Sequence, residues 1–322
     1  MKKYLSFVFA LGLIASMTSC SVSETSRKSI VSVESSDAEK ATKEIKEESE
    51  TESDTEKDTK SEEKADNSGN SDTEDFTIDE QVLWETEGVK ITAKGVETDS
   101  LFGTSINVLA ENNSDKDVVI TTDAVIVNDY MISELGYIEV TAGNKANDEI
   151  ELSTSDLKAA GIDNIGKIEL YLHTYDPETY DILNESGCIT IKTSDYESTD
   201  DENNISGMTL LDQDGVKIIA QYVDENSFWG TSVLMYVENN TDKNLIIEGD
   251  DFSVNGFMVS ADYYEHVYAG KKCISPLDIY SSSLEENGIE SVDQIEMTIH
   301  VLTDDDNYTH LIDTDKITFT TK

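Results

Sequence analysis

Basic side chains are scarce in this chain: 23 lysines and arginines stand against 68 aspartates and glutamates, a formal net charge of −45. That deficit excludes the basic face a nucleic-acid binder needs to neutralise phosphates. It equally excludes electrostatic docking on anionic lipid headgroups, so any hold on a membrane must come from something other than charge. Hydrophobic residues make up only 37% of the 322 positions, so part of the chain is expected to bury no core. No apolar run reaches the ~20 residues of a stable bilayer span. Catalytic signatures are missing as well, with no Gly-x-Ser-x-Gly elbow, no phosphate-cradling glycine loop and no His-Glu-x-x-His. Cysteine is limited to Cys20, Cys188 and Cys273.

The N-terminus carries a different signal. Lys2 and Lys3 form a positive start, Tyr4 to Ala15 is a short apolar stretch, and Met17-Thr18-Ser19-Cys20 closes it. These residues resemble the lipobox of bacterial lipoproteins, with Met17 where leucine is most often seen. The resemblance covers about twenty residues and implies cleavage after residue 19 and a diacylglycerol on the Cys20 thiol. Each buried methylene contributes about 0.8 kcal/mol, and two acyl chains anchor stably where one does not. The location implied is the extracellular face of the cytoplasmic membrane.

From Ser21 to about Asp75 the chain is mostly Ser, Glu, Lys, Thr and Asp, without proline or aromatics and almost without aliphatic residues after Val33. Such a segment buries too little apolar surface to offset the ~1–2 kcal/mol of backbone entropy lost per ordered residue. Residues 20–75 are therefore expected to be a lipidated cysteine followed by a disordered acidic tether, ~40 Å end to end as a flexible coil.

Beyond the tether the sequence repeats itself. Gly88-Val89-Lys90-Ile91 recurs as Gly215-Val216-Lys217-Ile218, an offset of 215 − 88 = 127. The same offset pairs Glu111-Asn112-Asn113 with Glu238-Asn239-Asn240, Ala142-Gly143 with Ala269-Gly270, and His173 with His300. Between Gly88–His173 and Gly215–His300, 33 of 86 positions are identical without a gap. After one extra residue near Asp304–Asn307 the offset becomes 128, pairing Tyr180 with Tyr308. This is a duplication. It divides the chain into repeat 1 at 82–193, a polar linker at 194–208, and repeat 2 at 209–322.

Each copy reads as strands bounded by turn residues. Lys90–Val96, Thr104–Ala110, Val118–Val127, Tyr137–Thr141, Glu149–Leu152, Lys167–His173 and Cys188–Lys192 are expected strands in the first copy, with equivalents in the second. Asn255-Gly256, and more weakly Asn128-Asp129, signal two-residue hairpins because these residues tolerate positive φ. Hydroxyl caps and a closing glycine predict one short helix over Ser153–Gly161 and another over Ser281–Gly288. About seven strands with a brief helical crossover fit an all-β, immunoglobulin-like antiparallel sandwich in each copy. A small closed barrel is the other arrangement the pattern admits. The Asn-x-(Ser/Thr)-Asp-Lys turns at Asn113–Lys116 and Asn240–Lys243, with Ala142-Gly143-Asn144-Lys145 and Ala269-Gly270-Lys271-Lys272, resemble the immunoglobulin-like domains of Gram-positive cell-surface lipoproteins. That family has no settled activity, so the resemblance implies a fold and no substrate.

No catalytic residue, metal or cofactor is expected. His173 and His300 read as strand histidines without a metal-spaced partner. The acidic clusters at Asp212–Asp214 and Asp304–Asp306 read as solvated loops, neither having the closing Glu of a strong calcium site. Cys188 and Cys273 occupy non-equivalent repeat positions, so only a bridge between copies could join them, and two buried free thiols are the simpler expectation. Phe102, Phe228 and Trp229 place large apolar side chains in a loop and are the candidate ligand contacts, unless they plug the sandwich end. The expected function is a membrane-anchored, non-enzymatic module binding an envelope or extracellular protein or glycan, with no nucleic-acid partner. A spacer pair without a ligand, or an accessory subunit of an envelope enzyme or transporter, remain the alternatives.

Overall fold

The computed structural model describes residues 27–32, 76–100, 103–133, 136–197, 205–227 and 230–321. Cys20, the signal segment and the candidate contacts Phe102, Phe228 and Trp229 lie outside the described residues. A first strand, β1 (Arg27–Ser32), precedes the two copies. Repeat 1 runs β2 (Gln81–Thr86), β3 (Val89–Ser100), β4 (Gly103–Asn112), β5 (Val118–Val127), β6 (Tyr130–Ile132), β7 (Tyr137–Val140), β8 (Lys145–Ser153), α1 (Thr154–Ala159), β9 (Lys167–Tyr175) and β10 (Ile182–Lys192). Repeat 2 follows the same course through β11 (Met208–Gln213), β12 (Val216–Ser227), β13 (Gly230–Asn239), β14 (Leu245–Val254) and β15 (Phe257–Met258). It continues through β16 (Ala261–Asp262), β17 (Tyr264–Val267), β18 (Lys272–Tyr280), α2 (Ser281–Glu286), β19 (Gln294–Thr303), β20 (His310–Asp313) and β21 (Ile317–Thr321).

In repeat 1 one sheet is ordered β2-β3-β4-β8, and the other places β9 between β5 and β10, with β6 and β7 on the far edge of β5. Setting β2 aside as an added hairpin strand, the first, second and fifth main strands share one sheet. The third, sixth and seventh share the other. That is the immunoglobulin arrangement. Repeat 2 reproduces it, with β11-β12-β13-β18 in one layer and β19 flanked by β14 and by β20 and β21 in the other. The copies are immunoglobulin-like antiparallel sandwiches.

Register explains why an ungapped alignment preserves the fold. A one-residue slip would turn every side chain to the opposite face of its strand. Ile91 and Ile218, Ile120 and Ile247, and Ile168 and Ile295 are all at most 1% exposed, each pair in equivalent core positions. The hairpins are tight turns with left-handed backbone, φ 47° and 67° at Asn128-Asp129 and 51° and 83° at Asn255-Gly256. Ser153 caps α1, its Oγ accepting from the Asp156 amide.

The repeated Asn-Asn-(Ser/Thr)-Asp-Lys motif does more than turn the chain. The fully buried Asn112 amide donates to the Lys116 and Val140 carbonyls at 2.7 and 2.9 Å, while its Oδ1 accepts from the Ser114 amide and hydroxyl. Asn239 makes the same set with Lys243, Val267 and Thr241. A buried side-chain amide satisfied this fully ties the β4–β5 crossover to β7, and the β13–β14 crossover to β17.

The tether expectation needs correction at residues 27–32. These six residues form β1, which pairs antiparallel with β12 (Arg27 opposite Asp224) and then with β21 (Ile30 opposite Thr321), closing the seam between the two sheets of repeat 2. Ile30, 8% exposed, joins the repeat 2 core. Lys28 Nζ lies 2.8 Å from Glu225 Oε1, and Arg27, the only arginine in the sequence, sits 4.5 Å over the Tyr222 ring. In repeat 1 the chain just before β2 closes the equivalent seam: Phe76 is 2% exposed in the core, and the Ser194 amide donates to the Thr77 carbonyl.

Candidate functional site

The two sandwiches meet along a joint built from the β5–β6 hairpin of repeat 1 and the start of β18. Lys272 and Cys273 pair in parallel with Tyr130 and Met131, and the Lys272 amide donates to the Asp129 carbonyl at 2.9 Å. Lys271 Nζ lies 2.6 Å from Asp129 Oδ1 and 2.5 Å from Glu169 Oε2, while Lys167 reaches the same Asp129 oxygen at 2.7 Å. These opposite charges hold the Asp129 carboxyl below the usual range and the Lys271 ammonium above it, in both cases against the opposing effect of burial. Tyr236 and Ile219 of repeat 2 pack into the core of repeat 1. Tyr171 and Tyr268 meet edge to face, centroids 4.8 Å apart. Partly buried, hydrogen-bonded ion pairs of this kind fix a geometry even where their net energy is small.

Beside the joint a cleft of about 430 Å³ opens between the copies. Its walls include Asp123, Tyr171 and Glu185 from repeat 1 and His266, Tyr268 and Asp304 from repeat 2. Three carboxylates converge on it, with aromatic faces beside them. Burial, helped by the charges of Asp123, Asp304 and Glu185, pushes the Tyr268 hydroxyl up, so it stays protonated and a donor. His266 Nδ1 lies 3.0 Å from Asp304 Oδ2, and its ring meets Tyr264 at 5.2 Å. At the loops following β9 and β19, Tyr180 and Tyr308 are exposed with φ of 61° and 46°. A bulky residue in the left-handed region is unusual, and such strain is concentrated at functional loops. Sequence reading paired these tyrosines by register and missed their conformation.

The histidines are less isolated than their spacing suggested. His173 Nδ1 lies 2.6 Å from Asp123 Oδ1. His300 and His310 instead share one carboxylate, their Nδ1 atoms 2.6 and 2.8 Å from Asp313 Oδ1. Among the described residues these three form the one cluster whose ligand atoms are close enough to hold a metal ion. No motif spacing marks it, because β19 and β20 bring the residues together across strands. Cys188 and Cys273 are free thiols, Cys188 exposed where burial was expected and Cys273 buried beside Met131.

No family model matches the chain, and none of the curated proteins does. Solved structures similar to it include a Salmonella enterica SafA pilin in complex with the SafB chaperone, 14% identical over 74% of this chain and 98% of that one, with a TM-score of 0.22. The YadV chaperone is 12% identical over 73% and 100% of the two chains, with a TM-score of 0.23. Red sea bream transglutaminase is 10% identical over 68% of this chain and 30% of its own, at 0.20. Similarity at this level says nothing about activity.

Proposed function

We propose that the chain is a lipid-anchored, non-enzymatic binding module of the cell envelope that takes a cationic group of its partner in the cleft between the repeats. The observation carrying this reading is the joint itself. Lys271 clamped by Asp129 and Glu169 holds two sandwiches so that one acidic, tyrosine-walled cleft has a wall from each. An ammonium or guanidinium there gains the carboxylates of Asp123, Glu185 and Asp304 and contact with the rings of Tyr171 and Tyr268, a cation–ring contact being worth ~0.5–2 kcal/mol. The lipobox-like Met17-Thr18-Ser19-Cys20 supports the anchor, and β1 then sets the reach. Only residues 21–26 separate Cys20 from Arg27, so repeat 2 would lie within about 25 Å of the anchor, closer than a tether running to residue 75 would place it.

The test is titration of the protein with a lysine-rich peptide and a neutral peptide of equal length at 150 mM salt. Asp304→Asn and Tyr268→Ala are expected to weaken lysine-peptide binding about tenfold, although each changes the net charge by one or not at all. Undiminished binding by both variants would show that overall charge, not the cleft, recognises the peptide. For the anchor, Cys20→Ala is expected to release the protein into the medium or leave it unprocessed; a processed variant still held by membranes would overturn it.

A further inference from the structure

The trio His300, His310 and Asp313 is independent of the cleft reading and has its own geometry. His300 lies on β19 directly opposite Asp313 on β20, so both side chains leave the same face of the ladder. Strict alternation would then put residue 311 on that face and turn His310 away. The ladder instead slips: Val301 pairs with Ile312, and Leu302 pairs with His310. Leu311 is the extra residue, a β-bulge, and the bulge swings His310 onto the face of His300 and Asp313. Bulges re-aim side chains in just this way and concentrate beside functional sites.

We infer that His300, His310 and Asp313 form a binding site for a divalent late transition-metal ion, of which zinc is the representative. The donor set is two imidazole nitrogens and one carboxylate oxygen. It suits zinc, nickel or copper and not magnesium or calcium, which take oxygen ligands. One ligand atom from each residue lies within 4.8 Å of the other two. A tetrahedral ion with bonds of about 2.0–2.1 Å needs its ligand atoms about 3.3 Å apart. Closing to that spacing takes rotamer adjustments of an ångström or so. His310 and Asp313 are free to make them, their side chains being 53% and 56% exposed. The Nδ1 atoms of His300 and His310 lie 2.6 and 2.8 Å from Asp313 Oδ1, so the three side chains already converge on one point. Each Nδ1 that turns from hydrogen-bonding Asp313 to ligating the ion moves its proton to the solvent-side nitrogen of the ring. No ion, electron or second reactant beyond the metal is required. Three protein ligands leave at least one position for water or a group from a partner.

Repeat 1 supplies the internal control. The same bulge occurs in β10, where Ile182, Asn184 and Glu185 pair with Tyr175, Thr174 and His173. Ile182 and Glu185 stand where His310 and Asp313 stand in repeat 2, and His173 is engaged by Asp123. One histidine and no shared carboxylate make no site there.

The experiment is calorimetric titration of the full chain with zinc chloride, in excess magnesium and calcium to saturate surface carboxylates. One ion per chain with micromolar or tighter affinity is expected. His310→Ala and Asp313→Asn should each weaken it at least tenfold, while His173→Ala and His266→Ala leave it unchanged. His310 and Asp313 are exposed, and unchanged circular dichroism confirms that the variants fold. Absence of stoichiometric uptake overturns the site, and so does uptake that survives the double variant His310→Ala, Asp313→Asn.

Discussion

The two repeats share a fold and differ wherever a single substitution redirects a buried or paired group. In repeat 1 the seam between sheets is closed by Phe76, a few residues upstream of its own first strand. In repeat 2 it is closed by Ile30, brought from far earlier in the chain. Ile138 in β7 is a core residue, 2% exposed, whereas its counterpart Glu265 in β17 is a carboxylate in the same inward position. His173 and His300 sit at one place on equivalent strands, yet one bonds a residue of β5 and the other a residue of β20. Duplication kept the ladder pattern and left the side chains on it to diverge. A fold tolerates this because the hydrogen bonds of the ladders belong to the backbone, while chemistry belongs to the side chains.

The largest expected effect comes from the seam. Deleting residues 27–32 removes Ile30 from a closed core and exposes the edges of β12 and β21, so repeat 2 should lose about 3–5 kcal/mol while repeat 1 is untouched. Phe76→Ala should do the reverse by a similar amount. Hydrogen exchange resolved by repeat separates the two, and equal protection of repeat 2 with and without β1 would break the comparison.

Next is Glu265. Burial pushes its carboxyl up to about 7, with Asp156 and Asp262 adding to the rise and Ser275 and His266 opposing it. The folded chain therefore holds this proton more tightly than the unfolded chain between about pH 4.5 and 7. Stability from this group is present below that window and is lost as pH rises through it, about 3 kcal/mol by pH 8. Glu265→Ile, which installs the residue type of repeat 1, should stabilise the protein at pH 8 and flatten that part of the pH profile. Denaturant melts at pH 5 and pH 8 measure both, and an unchanged slope would show that Glu265 finds water in the folded state.

The smallest effect is also the sharpest. Ile182→His with Glu185→Asp copies the repeat 2 trio onto the repeat 1 bulge around His173. Zinc stoichiometry should rise from one to two, the new site being the weaker because Asp123 already engages His173. A stoichiometry that stays at one would mean that matching residues on a matching bulge are not sufficient.

The seven main strands of each copy, the hairpins at Asn128 and Asn255, the two short helices and the shared register were legible in the residues, because each depends on local pattern, whereas β2, β6 and β11 were not expected. Period-two burial, turn residues that accept positive φ and, at α1, a hydroxyl cap all act within a few residues, whereas α2 starts at Tyr280 without the expected side-chain cap. The length change at Asp304–Asn307 was legible too, since a loop absorbs an extra residue at little cost. What stayed hidden involves partners far apart in the chain. β1 has only Ile30 and Val31 to mark it within a polar run, and it becomes a strand because edges of β12 and β21, some 190 and 290 residues later, offer unpaired amides and carbonyls. The meeting of His310 with His300 depends on one bulge, and bulges leave no signature in composition. The cleft and its lysine clamp exist only because a hairpin of one copy pairs with a strand of the other. Local pattern decides which residues alternate and where the chain turns; which faces then meet is decided by long-range burial and edge pairing, and the cleft and the trio of His300, His310 and Asp313 are both of that second kind.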